Sequence, residues 1–178
     1  MRTRMFAALS ALAALTVPLS ATPAQAAPSP GEYTLTAAHS GKCLDIRNSS
    51  TANGAVLVQN TCDGRASQRF YLGQYRDRPD LYFIKTFAGK CVARYAASNH
   101  ERVVTQENCV YDYSRSFRFH AYHPWPGEVI SSVDWYGRDS HCFHIEGASS
   151  ADGAAVITYG WNDRGSGARN DSFTLAPA

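Results

Sequence analysis

"GKCLDIRNSSTANGAVLVQNTCDGRASQRF" occupies Gly41–Phe70 and sets a frame. Cys43 is followed 19 positions later by Cys62, and Gln68 stands two places before Phe70. The frame returns as "GKCVAR" from Gly89 and as "SHCFHI" from Ser140, with the leading cysteines 48 and then 51 positions apart. "NGAVLVQNTC" in the first copy is matched by "ERVVTQENC" in the second and "DGAAVITYGW" in the third. Cys91 and Cys109 are 18 apart; Cys142 and Trp161 are 19 apart, so Trp161 stands where the third copy would have its second cysteine. Each copy closes on alternating apolar residues: Phe70 and Leu72, Phe117 and Phe119, Phe173 and Leu175. This is one unit written three times.

Within each unit, short β-rich runs alternate with Gly, Asn, Asp and Ser, and no sustained helical period is present. The first unit predicts strands at Tyr33–Ala37, Cys43–Ile46, Ala55–Asn60 and Arg69–Leu72. The second predicts Leu81–Thr86, Cys91–Arg94, Val103–Glu107 and Phe117–Tyr122. The third predicts Val129–Val133, Cys142–Ile145, Ala154–Tyr159 and Phe173–Ala176. No unit can bury an apolar face alone. Closed about a pseudo-threefold axis, the three share one core and leave few free edges. The expected fold is all-β: a β-trefoil of twelve strands in three repeats, at about 32–78, 79–125 and 126–176, with Phe70, Phe117 and Phe173 in the core.

Residues 1–26 read as a secretory signal peptide: Arg2 and Arg4, a short apolar run from Phe6 to Leu19, and small residues at Ala24 and Ala26. The run is too short to span a bilayer. The mature chain, 27–178, is long enough for one domain with a real core. Without Arg2 and Arg4 it carries 15 basic and 15 acidic residues, so no charge excess steers it to nucleic acid or to a membrane. Tyr leads its aromatics, and its only lysines are Lys42, Lys85 and Lys90. All five cysteines lie in this part, and export favours disulfides. The spacing pairs Cys43 with Cys62 and Cys91 with Cys109, each bridge joining the second strand of a unit to the end of its third. Closing a loop of that length stabilises by about 3 kcal/mol in the chain-entropy model. Cys142 is left over, either as a buried thiol near Trp161 or as one half of an intermolecular disulfide.

The threefold "GKCLD…GA.V…C.G…Q.F" unit resembles the ricin B-type lectin domain, a carbohydrate-binding module found in secreted actinobacterial enzymes. The resemblance runs from about Glu32 to Leu175. The Q-x-W signature stands as Gln68-Arg69-Phe70, and weakened as Arg115-Ser116-Phe117 and Asp171-Ser172-Phe173. It implies a shallow sugar pocket in each unit. There an Asp two residues after the first Cys takes hydrogen bonds from sugar hydroxyls, and an aromatic two residues before the second Cys stacks on the sugar. An Asn precedes the signature Gln, and that Gln supports the Asp. The physics suits a sugar, whose hydroxyls want charge-assisted acceptors and whose C–H face wants a ring.

The first unit keeps Asp45 and Gln68, with Asn60 at the aromatic position and Ser67 for Asn. The second has Ala93, Glu107 and Arg115, so its pocket is expected to be lost. The third has Tyr159 at the aromatic position and Asn170 before the signature, with His144 for the Asp. The carbohydrate-binding candidates are therefore Asp45, Asn60, Gln68, Tyr159, His144 and Asn170. The competing reading makes Asp45 and Gln68 a purely structural pair, since buried polar groups need partners. The histidine pairs His120/His123 and His141/His144 do not offer four converging metal ligands. Catalytic motifs are absent, and the resemblance implies no deep cleft that would pair two carboxylates. The expectation is a secreted, monomeric, non-enzymatic carbohydrate binder without cofactor or metal. The rival is a β-trefoil protein-interaction module or protease inhibitor acting through loops, for which the aromatic turn "YHPWPG" from Tyr122 is one candidate.

Overall fold

A computed structural model describes residues 27–94, 103–121, 127–160 and 169–178. The expected leader, Trp161, His123 and nearly all of the "YHPWPG" turn lie outside the described residues. Twelve strands are present among those described. They are β1 (Gly31–Ala37), β2 (Cys43–Ile46), β3 (Ala55–Asn60), β4 (Phe70–Gln74), β5 (Tyr82–Thr86) and β6 (Cys91–Arg94), followed by β7 (Val104–Glu107), β8 (Phe117–Ala121), β9 (Glu128–Val133), β10 (Asp139–Ile145), β11 (Val156–Gly160) and β12 (Phe173–Pro177).

The first and fourth strands of the units close a six-stranded antiparallel barrel in the order β1, β4, β5, β8, β9, β12 and back to β1. The second and third strands form three hairpins, β2–β3, β6–β7 and β10–β11. These meet about the axis through the β3–β7 ladder and the bridges Val58↔Ala155 and Val103↔Ile157. The fold is a β-trefoil. The turns from first to second strand, β1–β2, β5–β6 and β9–β10, carry a glycine at positive φ in the same place, Gly41 (69°), Gly89 (71°) and Gly137 (72°). A Cβ-bearing residue is disfavoured in that left-handed conformation.

The core is built from matched triplets. Leu44, Val92 and Phe143 each follow the leading cysteine; Leu57, Val104 and Val156 come from the third strands; Phe70, Phe117 and Phe173 open the fourth. All are at most 1% exposed. The rings of Phe117 and Phe143 meet edge to face at 5.2 Å. The second unit departs from the pattern at Arg94, where the other units bury Ile46 and Ile145.

Four strand starts differ from expectation by one residue, at β4, β5, β7 and β9; those of β1 and β11 differ by two and that of β10 by three. β10 begins at Asp139 instead of Cys142, because Asp139 and His141 pair with Val133 and Ser132 across a register shift. β11 begins at Val156 instead of Ala154, because Ala155 turns to bridge Val58 of the first unit.

Polar side chains lock the units to one another. Gln59, on β3, is wholly buried; its amide nitrogen donates to the carbonyls of Ser149 (2.7 Å) and Ala151 (3.0 Å), and its Oε1 accepts from the Ser40 hydroxyl (2.8 Å). Gln106, on β7, repeats the arrangement. It donates to Ser50 (2.8 Å) and Ala52 (2.9 Å) and accepts from Thr86 (2.8 Å). Each glutamine thus clasps a turn of another unit. Those turns follow matching one-turn 3-10 helices, Arg47–Ser49 and Glu146–Ala148, with positive φ at Asn48, Ser49, Gly147 and Ala148.

Gln59→Leu, close in volume but without the amide, is expected to cost about 1–3 kcal/mol by stranding the Ser149 and Ala151 carbonyls; chemical denaturation checks this, and an unchanged midpoint would show that the clasp is dispensable. Glu128, in β9, is buried, and burial pushes its carboxyl up from the ordinary value. Its folded pKa exceeds its unfolded one, so its contribution is whole below the unfolded value and is lost as pH rises through the folded one. Glu128→Gln is therefore expected to raise Tm near pH 7 and to leave it almost unchanged near pH 4. Equal gains at both would contradict this.

Candidate functional site

Asp45 lies on β2 opposite Val58 and is completely buried. Its Oδ2 accepts from Asn60 Nδ2 at 2.9 Å and from Gln68 Nε2 at 3.4 Å, and the Arg65 guanidinium lies 3.7 Å away. Its Oδ1 has no hydrogen-bond partner. Gln68 ends a one-turn 3-10 helix, Ala66–Gln68. It also donates to the Thr61 carbonyl (2.9 Å), while its Oε1 accepts from the backbone N–H of Asp63 (3.0 Å) and Gly64 (3.2 Å). One side chain therefore holds the 61–64 loop against the carboxylate. Arg65 is the most exposed group on Asp45. It is engaged chiefly by Asp63, whose carboxyl it holds below the usual carboxylate range through a direct hydrogen bond.

In the third unit His144 takes the place of Asp45, opposite Ile157 on β11, and is buried. Its Nε2 lies 3.3 Å from Cys142 Sγ. The half-exposed Tyr159 ring stands edge-on to it with centroids 5.2 Å apart. Asn170 donates from Nδ2 to the Ile145 carbonyl (2.9 Å), so its amide is joined to the strand. In the second unit a cavity of about 540 Å3 persists, lined by Ala93, Arg94, Thr105, Glu107, Ser114 and Arg115 among others. No carboxylate occupies the Ala93 position, and the Arg115 guanidinium is paired with Asp112.

The structure closes the disulfides Cys43–Cys62 and Cys91–Cys109 and leaves Cys142 as a buried free thiol. At 0% exposure Cys142 cannot reach a second molecule from the folded state. Among the described residues no group of three or more His, Cys, Asp or Glu side chains converges on a metal position.

Two features went unread in the sequence. Arg65 is one, since nothing in the repeat marks it. The other is the turn Asp134–Arg138, with Trp135 and Tyr136 76% and 79% exposed. Asp134 Oδ1 accepts from the N–H groups of Tyr136 (2.9 Å) and Arg138 (2.8 Å), fixing the turn. Trp135 packs on Tyr113 at 5.1 Å, and Arg138 lies over the Tyr136 ring at 4.9 Å. Two adjacent large aromatics inside an Asp/Gly turn were the available signal.

Residues 24–107 match the family described as ricin-type beta-trefoil lectin domain-like. That stretch spans the first unit and most of the second, and lectins among the structural neighbours share the β-trefoil fold. The chain is similar to the designed threefold-symmetric protein ThreeFoil, with 26% identity and a TM-score of 0.69, over 83% of this chain and 99% of that one. It is similar to an exo-beta-1,3-galactanase from Clostridium thermocellum at 23% identity and TM-score 0.70, covering 85% of this chain but only 31% of the galactanase. It also shares its fold with the ricin B-like lectin of Macrolepiota procera, solved in complex with lactose, at 10% identity and TM-score 0.62, over 87% of this chain and all of that one. No curated protein matches the sequence.

Cys142 gives a direct check on the unit alignment. A thiol reagent is expected to titrate no thiol in the folded protein and one per chain in denaturant. Rapid labelling of Cys142 without denaturant would contradict its burial.

Proposed function

We propose that the whole of 27–178 is a ricin B-type lectin domain, exported by the 1–26 leader, that binds carbohydrate without catalysis. Asp45, Asn60 and Gln68 form the principal pocket. Tyr159 supplies a stacking ring in the third unit, with His144 and Asn170 behind it as positioning residues. The observation that carries the reading is the Asp45 carboxylate. It is wholly buried, yet Oδ1 lacks a donor. A buried oxygen left unsatisfied is costly; the carboxylate is sealed from solvent, so a ligand hydroxyl supplies the missing donor when the exposed Arg65 side chain beside it swings aside. The lactose complex of the Macrolepiota procera lectin, which shares the fold, supports the ligand class. Two disulfides suit an oxidising, extracellular setting. The balanced charge of the mature chain gives no electrostatic pull toward nucleic acid or membranes.

A second reading, a module that binds protein through loops, is favoured by the Trp135–Tyr136 turn. Rigid, exposed aromatics are what interface anchors are made of.

The two readings separate on a glycan array probed with the wild-type protein and with Asp45→Asn and Trp135→Ala. Asp45→Asn keeps the shape of the pocket but removes the charge. It is expected to weaken glycan binding about tenfold to a hundredfold, equivalent to about 1.5–3 kcal/mol, while Trp135→Ala binds as the wild type does. Asp45→Ala is the poorer variant, because it also strands Asn60 and Gln68. If Asp45→Asn lowers Tm and leaves glycan binding intact, Asp45 is structural and the lectin reading of the first unit fails.

A further inference from the structure

We infer a separate binding face for an acidic sugar, a uronate residue of a polysaccharide, on the outer surface of the β4–β5 hairpin. The class of ligand rests on the carbohydrate reading above; the face uses none of the residues of the three unit pockets.

Strand alternation builds it. Phe70 and Leu72 of β4 and Tyr82 and Ile84 of β5 point into the core, which leaves Tyr71, Phe83 and Lys85 outside. Gly73 sits directly opposite Phe83 in the ladder. A Cβ on Gly73 would come within 2.1 Å of the Phe83 ring, so the absent side chain is what lets that ring lie across the strand. Tyr71 flanks it at 6.3 Å and Tyr75 at 5.5 Å, and Tyr111 stands edge-on to Tyr75 at 4.7 Å. Between them is a cleft of about 210 Å3, bounded by Tyr75, Phe83, Lys85, Val110, Tyr111 and the Cys91–Cys109 bridge. Its outer wall is open to solvent, with Tyr111 64% and Val110 53% exposed. Tyr71, Val110 and Tyr111 are exposed around the part-buried rings of Tyr75 and Phe83, a grouping of apolar surface suited to a contact face.

The charge selects the occupant. Lys85 Nζ lies 5.3 Å from the centroid of the Phe83 ring and belongs to no ion pair among the described residues. Lys90, beside the same disulfide, donates only to Asn108 Oδ1, at 3.1 Å. By contrast Lys42, the other lysine of the mature chain, is paired with Asp152. The cleft therefore offers ring surface and an ammonium without an anionic partner. A neutral sugar would use the rings and ignore the charge. A uronate uses both: its C–H face covers aromatic carbon, and its carboxylate meets Lys85 in a charge-assisted bond.

Affinity electrophoresis in gels containing polygalacturonate, its methyl ester or dextran tests this with the full mature chain. The wild type is expected to be retarded most by polygalacturonate, and less as salt is raised. Lys85→Gln should weaken that interaction about tenfold or more and leave binding to the methyl ester unchanged. Tyr111→Ala, at an exposed position that the fold does not need, should weaken binding to both about threefold to tenfold. Asp45→Asn should change neither. The inference is overturned if polygalacturonate does not retard the wild type, if Lys85→Gln and Tyr111→Ala migrate as the wild type does, or if Asp45→Asn abolishes the retardation, which would place the acidic ligand in the first unit. A loss of glycan-array binding in Asp45→Asn is a separate result, so either proposal can fail while the other stands.

Discussion

The buried amides of Gln59 and Gln106 set the relation of one unit to the next. Hydrophobic burial is non-directional, so the stacked triplets of the core favour closure without choosing how each unit is turned against its neighbour. A primary amide is directional and has a fixed inventory of two N–H donors and one carbonyl acceptor. Both glutamines use all of it. The donors span two carbonyls of a turn in another unit, and the acceptor takes a hydroxyl from the unit's own first strand or the turn after it. The turns so held directly follow residues at positive φ, Asn48, Ser49 and Ala148, which carry a backbone cost. The clasp offsets that cost by giving the turn carbonyls partners inside the protein. In the third unit the equivalent residue is Thr158, buried but too short to span two carbonyls.

Because register is held by these amides and by the core, the pockets are free to change. Asp45, Ala93 and His144 occupy one position on three equivalent hairpins, as do Asn60, Glu107 and Tyr159. None of these substitutions alters the ladder beneath it. The consequences differ unit by unit. The first keeps an anion with one oxygen unsatisfied. The second keeps a cavity without that anion. The third keeps a ring backed by an imidazole. A shared scaffold therefore says little about which unit binds; the residues of each pocket decide it.

The architecture was legible because its signals are periodic. Cysteine spacing, the aromatic that opens each fourth strand and the glycine turns recur about every 50 residues, and they place twelve strands with ends shifted by up to three residues. The largest shift, at β10, falls on Asp139, Ser140 and His141, polar residues that local pattern assigns to a turn and that tertiary pairing recruits into the ladder. Contacts between units were not legible. Gln59 reaches residues 90 and 92 positions away, and no local rule marks a strand glutamine as a clasp. The candidate site was half legible. The family pattern identified Asp45, Asn60 and Gln68, and the structure does bring them together. It could not show that Asn60 points its amide at Asp45, that Arg65 lies over the carboxylate, or that the Asn170 amide is taken up by Ile145.

The hairpin β4–β5 shows how one sequence serves fold and surface together. Residues facing inward are fixed by packing, and replacing Leu72 or Ile84 with alanine would cost about 2–5 kcal/mol. Residues facing outward answer to no such constraint, and a run of rings there is not needed for the barrel. Gly73 makes the point sharply. In the middle of a strand glycine weakens the ladder by its entropy and its missing side chain. Here it is kept at a register position where any side chain would collide with Phe83. The local loss of strand propensity is thus coupled to the flat seating of one outward ring. That ring in turn spaces Tyr71 and Tyr75 on either side and lies beneath the Lys85 ammonium. Packing alone would have been served better by a β-branched residue at position 73 and a polar one at 83. The pair as it stands gives up strand stability for an exposed aromatic floor, the trade made where an outer face has work apart from holding the fold.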